Sequence, residues 1–441
     1  MTDRQHVHVA GVAGVGMSAL AELLLALGYR VTGSDRTVDA GGYSEAIETL
    51  CRAGLEIVPQ DGRAITATTA ALAVSTAIEA DNPELLAAQR IGVEVVHRAA
   101  LLARLAGGRR LVAITGTAGK TTVTALVGYL LEQAGFDPTV VNGGIVLDWR
   151  SPTRLGNVRI GASPWWVIEA DESDRSLLRF HPDHAIITNI SKDHFELDEV
   201  HRIFRTFATQ VRGEIVGGTD IARVVGRPVH TPEFRFLHSP QGWAFDCEGV
   251  QYVTGMPGRH NAENALLAIS FCLRMGADPA RLREALARFS GVHRRLEVVG
   301  TFQGARVIDD YAHNPAKIAA SWRAVSENAR RVFGFWRPHG FGPLALMHDE
   351  LVEALAAAMR PDDRFFVLPV FYAGGTATRT VTSDDFVAAL RARGVAAELV
   401  ADYPALRARL KAGAQSGDAI LGMGARDPEL PRFARALAAT P

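Results

Sequence analysis

Thr115-Gly116-Thr117-Ala118-Gly119-Lys120-Thr121-Thr122 places two glycines and a lysine directly ahead of paired threonines. Backbone N–H groups of such a turn, set before a helix N-terminus, can surround a phosphate. The Lys120 ammonium would supply compact positive charge to the terminal phosphates, and the Thr121 hydroxyl a ligand for Mg²⁺. Gly116, Thr117, Ala118, Gly119 and Thr122 complete a candidate ATP-binding loop. Ile114 stands where the general Walker pattern has its first glycine, so an ordinary glycine turn is the plain alternative. Lysine usage favours the phosphate reading. The chain holds only Lys120, Lys192, Lys317 and Lys411, while arginine is abundant. A lysine kept in this loop points to a role that the broad guanidinium fork does not fill.

Two further stretches suit the same chemistry. Trp165-Trp166-Val167-Ile168 runs into Glu169-Ala170-Asp171-Glu172-Ser173-Asp174, and Ala185-Ile186-Ile187 leads through Asn189 to Ser191-Lys192-Asp193-His194. Each reads as an apolar strand delivering carboxylates or a histidine at its C-terminal end, where open α/β sheets place ligands. Oxygen donors suit magnesium, so Glu169 and His194 are candidate Mg²⁺ partners of Thr121. A solvated acidic turn and a hydrogen-bonded loop histidine are the plain alternatives. Near the start, Gly11-Val12-Ala13-Gly14-Val15-Gly16 follows an apolar run, and Asp35 ends the next one. Glycines at a first strand-to-helix turn, with an acid about 20 residues on, suit a diphosphate and a ribose hydroxyl. The spacing is G-x-x-G-x-G, which leaves a packing turn open beside nucleotide-diphosphate binding. Asn261, ahead of an amphipathic helix over 262–275, reads as a cap or a ligand.

Parallel sheets are needed to hold these groups. Strand-like runs at 7–10, 29–32, 71–74 and 93–96 alternate with helical runs at 18–27, 46–53 and 83–90. That βα repeat predicts a parallel sheet with right-handed crossovers. A Gly/Arg connection at 105–110 precedes a second block that extends to about Gly291. Within it, β-like runs at 223–225 and 250–253 predict a small appended sheet. The third block, from near Val292, carries strands at 305–308, 331–335, 364–368, 396–400 and 419–423, with helices at 315–326, 348–359, 383–393 and 403–411. The expected fold is α/β in three domains: Rossmann-like at 1–107, a central P-loop ATPase domain at 108–293, and Rossmann-like again at 294–441.

Bulk properties exclude several classes. Hydrophobic residues make up 48% and charged residues 22% of the 441, as in soluble globular proteins. A net charge of −1 gives no bulk electrostatic drive toward nucleic acid or an anionic membrane. Cys51, Cys247 and Cys272 are widely spaced and form neither a disulfide framework nor a zinc pattern. No apolar stretch is long enough for a membrane span, and a strand begins almost at once. The expected location is the cytoplasm.

Taken together and in order, these motifs resemble the Mur ligase family, most of all its alanine-adding branch. Gly11 to Ser18 with Gly33-Ser34-Asp35 resemble its uridine-diphosphate turn, and Ser75-Thr76-Ala77-Ile78 with Asp81-Asn82-Pro83-Glu84 a further stretch of its first domain. The loop from Gly116 to Thr122, the run from Glu169 to Asp174, and Asp193-His194 resemble its ATP and magnesium site. Gly258-Arg259-His260-Asn261, Arg294-Arg295-Leu296-Glu297 and Asp309-Asp310-Tyr311-Ala312-His313-Asn314-Pro315 follow in the family's order.

The resemblance implies an ATP- and Mg²⁺-dependent ligase that joins an amine, L-alanine or a related one, to a UDP-N-acetylmuramate-like carboxylate through an acyl phosphate. That is a step of peptidoglycan precursor synthesis. It implies a UDP-sugar site including Gly11, Gly14, Gly16, Met17, Ser18, Asp35 and Ser75. Metal ligation falls to Thr121, Glu169 and His194, adenine contact to Asn261, and further ATP contact to Arg295 and Asp310. Lys120, His194 and His313 are the expected catalytic groups, His313 near the incoming amine. Three positions depart from the pattern. Ala118 stands where histidine is common, and Gly340 and Gly342 stand where arginines are expected after Pro338-His339. No lysine lies between Lys192 and Lys317, so the carbamylated lysine of other branches has no counterpart. The missing arginines leave an amino acid's carboxylate without its expected fork, so an amine other than L-alanine is expected to be preferred. A different acid, a non-catalytic UDP-sugar-binding relative and a dinucleotide-dependent oxidoreductase are the alternatives. The last leaves the Lys120 loop unexplained.

Overall fold

Alternating apolar runs and helices demand parallel pairing, and the computed structural model has it in three sheets. It describes residues 5–42, 44–191, 195–239, 242–371 and 380–439, the side chains of 238, 239 and 242 excepted. The first sheet holds β1 (His6–Ala10), β2 (Arg30–Ser34), β3 (Glu56–Ile57), β4 (Thr69–Val74) and β5 (Glu94–His97), all parallel, in the order β3-β2-β1-β4-β5. β1 is buried throughout, as expected of a central parallel strand covered on both faces.

The second sheet is built from β6 (Arg110–Thr115), β7 (Thr139–Val141), β8 (Val158–Arg159), β9 (Trp165–Glu169), β10 (His184–Ile187) and β11 (Ile215–Gly217). Its order is β11-β10-β6-β9-β7-β8, with only the edge strand β8 antiparallel. β6 is central, and the helix that follows it, Lys120–Gln133, is buried from Thr121 to Leu131. A helix apolar on all sides is stable only when surrounded, and this one makes a rigid base for the turn at its start.

The small appended sheet is antiparallel: β12 (Phe234–Ser239), β13 (Gly242–Cys247) and β14 (Val250–Thr254). The β-like run at 223–225 does not join it. Those residues end a helix, Thr219–Val225, closed by Gly226 in the left-handed region at φ +69°. A three-residue apolar run cannot distinguish strand from helix, whereas the glycine just beyond it marks a helix end.

The last sheet comprises β15 (Glu297–Phe302), β16 (Ala305–Asp310), β17 (Val332–Trp336), β18 (Arg364–Val367), β19 (Ala397–Leu399) and β20 (Ala419–Met423), in the order β15-β16-β20-β17-β18-β19. Its edge strand β15 runs antiparallel to β16, which the βα pattern did not foretell. The helix expected from His348 starts at Phe341. Gly342 and Pro343 read as breakers, yet a proline in the first turn gives up an N–H that has no intrahelical partner there. Helices Leu197–Gln210, Pro279–Arg288 and Glu429–Ala438 were also unforeseen. The chain forms two compact units: residues up to Gly255 with Asn261–Val292, and Met256–His260 with the chain from His293 on.

Candidate active site

Four residues, Gly116–Gly119, join β6 to the helix Lys120–Gln133. The turn needs glycine at both ends. Gly116 has φ +134°, and a Cβ there would overlap the Thr188 hydroxyl and lie 2.9 Å from the Asn189 carbonyl oxygen. Gly119 has φ +85°, and its Cβ would come 2.5 Å from Asn264 Oδ1. The segment after β10 latches the loop from the other side. Thr117 N–H donates to the Asn189 carbonyl at 3.0 Å, Ala118 N–H to Asn189 Oδ1 at 2.9 Å, and Thr188 Oγ1 to the Ala118 carbonyl at 2.6 Å. The Thr117 hydroxyl accepts from Ser191 N–H at 2.9 Å. The loop is thereby fixed before any ligand arrives, which is what a phosphate cradle requires.

Lys120 folds back over this turn. Its Nζ donates to the Gly116 carbonyl at 2.8 Å and to Glu172 Oε2 at 2.5 Å, with Asp171 Oδ1 at 3.6 Å. Burial opposes its charge, but Glu172 and Asp171 outweigh burial and raise its pKa, so the ammonium persists. Glu172 is buried enough that its carboxyl is pushed up to about 7 despite the pull of Lys120. Thr121 donates its hydroxyl to Glu169 Oε1 at 3.1 Å, and Glu169 Oε2 accepts Gly143 N–H at 2.7 Å. A hydroxyl beside a carboxylate is an oxygen donor pair suited to magnesium. His194, the third expected ligand, lies outside the described residues. Among those described, no group of three or more His, Cys, Asp or Glu side chains could hold a metal. Thr122 is buried in the same helix turn.

Asn261 is not a cap: it lies inside the helix Arg259–Arg274, buried, and accepts from Asn264 Nδ2 at 3.4 Å. Asn264 in turn borders Gly119, so both asparagines belong to the neighbourhood of the loop.

At the first glycine turn, Gly11 has φ +69° and Gly14 starts the helix Val15–Ala26. Asp35 Oδ2 accepts Ala13 N–H at 3.1 Å, and Oδ1 accepts Thr37 N–H at 2.8 Å. The acid therefore pins the turn as well as standing beside it. Ser18 donates to the Val15 carbonyl at 2.9 Å, Met17 is buried, and Ser75 accepts Ala77 N–H at 3.3 Å. A cleft of about 510 Å³ runs from Gly11, Gly14 and Gly16 past Ser75 to Glu169 and Asp171. Arg98 lines it as well. Its Nη1 would lie 2.7 Å from a Cβ on Gly16, and Nη2 pairs with Asp174 at 3.2 Å. No motif surrounds Arg98 in an arginine-rich sequence, so its position carries no sequence signal. Asn264, three residues from Asn261 on one helix face, could have been found from that spacing.

In the second unit, the Arg295 guanidinium stacks 5.7 Å from the Tyr311 ring. Asp310 is buried, accepting Leu296 N–H at 2.7 Å, Ala312 N–H at 2.8 Å and Ser321 Oγ at 3.0 Å. His313 Nδ1 lies 2.9 Å from the Tyr311 carbonyl, and its ring meets His339 edge-on at 5.2 Å.

Family models match the chain in this same order. The Mur ligase family catalytic domain covers residues 6–110, the middle domain 114–209, and the glutamate ligase domain 294–426. The chain belongs to the Mur ligase family. The UDP-N-acetylmuramate–L-alanine ligase of Sinorhizobium fredii is 34% identical over 95% of this chain and 94% of its own. That of Paracoccus denitrificans is 36% identical over 95% and 93%. The solved UDP-N-acetylmuramate–alanine ligase of Thermotoga maritima superimposes with a TM-score of 0.80 at 26% identity, over 98% of both chains. Mur ligases have three α/β domains in this order, and no helix among the described residues is long and apolar enough to cross a membrane.

Proposed function

We propose that this Mur ligase uses ATP to join L-alanine to the carboxylate of UDP-N-acetylmuramate in peptidoglycan precursor synthesis. The observation that carries the reading is the cleft from the first glycine turn to Glu169 and Asp171. A UDP-sugar whose diphosphate occupies the Gly11–Gly16 end extends its acid toward the Lys120 loop. The 34–36% identity to alanine-adding relatives supports the acid and amine, and disfavours another amine, another acid, or a non-catalytic role.

In the first step a carboxylate oxygen attacks the γ-phosphorus of ATP, and ADP leaves with the electrons of the broken P–O bond. The product is an acyl phosphate. The amine nitrogen then attacks its carbonyl carbon, loses a proton, and expels inorganic phosphate to leave an amide. Lys120 offsets the repulsion between the carboxylate and the triphosphate. Thr121, Glu169 and His194 are the proposed holders of Mg²⁺, which would neutralise further phosphate charge. Gly116, Thr117, Ala118, Gly119 and Thr122 would hold ATP phosphates, and Asn261 adenine, with Arg295 and Asp310 as further ATP residues. His313 would orient or deprotonate the amine. Gly11, Gly14, Gly16, Met17, Ser18, Asp35 and Ser75 would form the UDP-sugar end. The proposed domains remain 1–107, 108–293 and 294–441, and the proposed location is the cytoplasm.

Incubation with ATP, Mg²⁺, UDP-N-acetylmuramate and L-alanine tests this. ADP, phosphate and the UDP-sugar–alanine amide should form in equal amounts. Binding of the UDP-sugar without ADP formation would overturn the assignment.

A further inference from the structure

Resting on the reading above, one question stays open in the second unit: what receives the carboxylate of the amino acid. Gly340 and Gly342 offer no side-chain charge. β16, β20 and β17 lie side by side and parallel, with Asp310 paired to Met423 and Met423 to Trp336. Their C-terminal ends therefore bring together Tyr311 to His313, Arg337 to Gly340, and Gly424 to Asp427. Backbone bonds tie these segments: Gly424 N–H donates to the Asp310 carbonyl at 3.3 Å and Arg337 N–H to the Met423 carbonyl at 3.4 Å.

Two arginines at this edge are already committed. Arg294 is buried and donates to Asp309 at 3.2 Å and to the Gly424 carbonyl at 2.5 Å. Arg337 donates to Asp427 Oδ2 at 2.7 Å and to the Pro369 carbonyl at 3.1 Å. Arg426 is different: it is exposed, and it takes part in no ion pair or hydrogen bond among the described residues. Its neighbour Asp427 does not neutralise it. That carboxylate is buried, taken on Oδ2 by Arg337 and the Tyr403 hydroxyl, and on Oδ1 by Glu429 N–H at 2.9 Å. Asp427 thus anchors the backbone beside Arg426 and leaves the guanidinium available.

We propose that Arg426 is the fork that binds the amino-acid substrate's carboxylate, with His313 and His339 flanking the amine. A guanidinium on the turn after β20 supplies the planar pair of donors that the loop after β17 lacks. The pKa of His339 is pushed down to about 4, by burial first and then by the charges of His313 and Arg426. His339 is therefore neutral at ordinary pH, and Arg426 lies close enough to be felt there.

Steady-state kinetics with L-alanine and with L-alaninamide, whose carboxamide carries no charge, decide the matter. Arg426→Ala should raise KM for L-alanine by about 30- to 100-fold, while KM for ATP, KM for UDP-N-acetylmuramate and the use of L-alaninamide stay as in the native enzyme. Arg426→Lys, which keeps the charge and loses the fork, should fall between. Adding Gly342→Arg to Arg426→Ala, at a position where an added Cβ meets nothing within 4 Å, should recover part of the affinity. An unchanged KM for L-alanine in Arg426→Ala overturns the proposal, as does an equal loss for L-alaninamide. An ADP burst from ATP and UDP-N-acetylmuramate without amine separates the two readings. Its absence in the native enzyme refutes the ligase assignment, whereas its presence with an unaltered Arg426 variant refutes only the carboxylate site.

Discussion

Glu172 Oε2 lies 2.5 Å from Lys120 Nζ, and both side chains are largely withdrawn from solvent, at 5% and 13% exposure. The cation that a triphosphate would use is thus held by a carboxylate whose own proton affinity burial has raised. Such a pair is easily exchanged for a phosphate, because Glu172 can take up a proton when its partner turns away.

Stability and chemistry at this pair should separate. Lys120→Ala is expected to lower turnover at least about 100-fold and stability by about 2 kcal/mol, because Glu172 is left buried beside Asp171. The double variant Lys120→Ala/Glu172→Gln should recover the melting temperature without recovering turnover. Recovery of both would remove Lys120 from the reaction.

Thr121 and Glu169 should report on magnesium. Thr121→Ala and Glu169→Gln are each expected to raise the Mg²⁺ needed for half-maximal activity at least about tenfold. Glu169→Gln keeps an acceptor for Gly143 N–H, so the loop after β7 need not move. Loss of activity at unaltered magnesium dependence would make both residues structural.

A methyl group at Gly116 has nowhere to go. Gly116→Ala must leave φ +134° or displace Thr188 and Asn189, which should cost about 1–3 kcal/mol. Calorimetric titration should show ATP affinity falling with it, since the same residues latch Thr117 and Ala118.

Glu22 should give unfolding a pH dependence. Its side chain is buried, Oε1 accepts Leu155 N–H at 2.8 Å, and its pKa is raised from 4.5 to about 7 by burial, against the backbone donors. The folded state therefore holds a proton that the unfolded chain has released. This contribution is fully present below pH 4.5 and is lost as pH rises through 7, amounting to about 3 kcal/mol at most. Denaturant titrations across that range should show the slope, and Glu22→Gln should flatten it.

The sequence revealed those parts in which one residue type has one use. Gly116, Gly119 and Lys120 announced the loop because their spacing has a mechanical reason, and the strands ending in Glu169 and Asp310 followed from runs of buried apolar residues. Arg98 was harder, since an arginine among many carries no local signature and acquires meaning only from what its neighbours have already bound. Asp310 illustrates the reverse. The sequence offers it as a group for a ligand, and the structure adds three internal donors that hold its carboxylate in place. Antiparallel β15 and the early start at Phe341 were hidden because edge pairing and first-turn prolines depend on tertiary context.

β20 enters its sheet between β16 and β17, although more than a hundred residues separate it from β16 along the chain. During synthesis the second unit must therefore carry an open slot at its centre, with two parallel edges waiting for a strand that emerges more than eighty residues after β17. Such edges can recruit foreign strands. Completion by a distant segment also makes the unit's assembly a single late event, with a high cost in loop closure before any central pairing is made. The turn that carries Arg426 is attached to that closing strand, so the proposed amino-acid pocket exists only once β20 has docked between its neighbours.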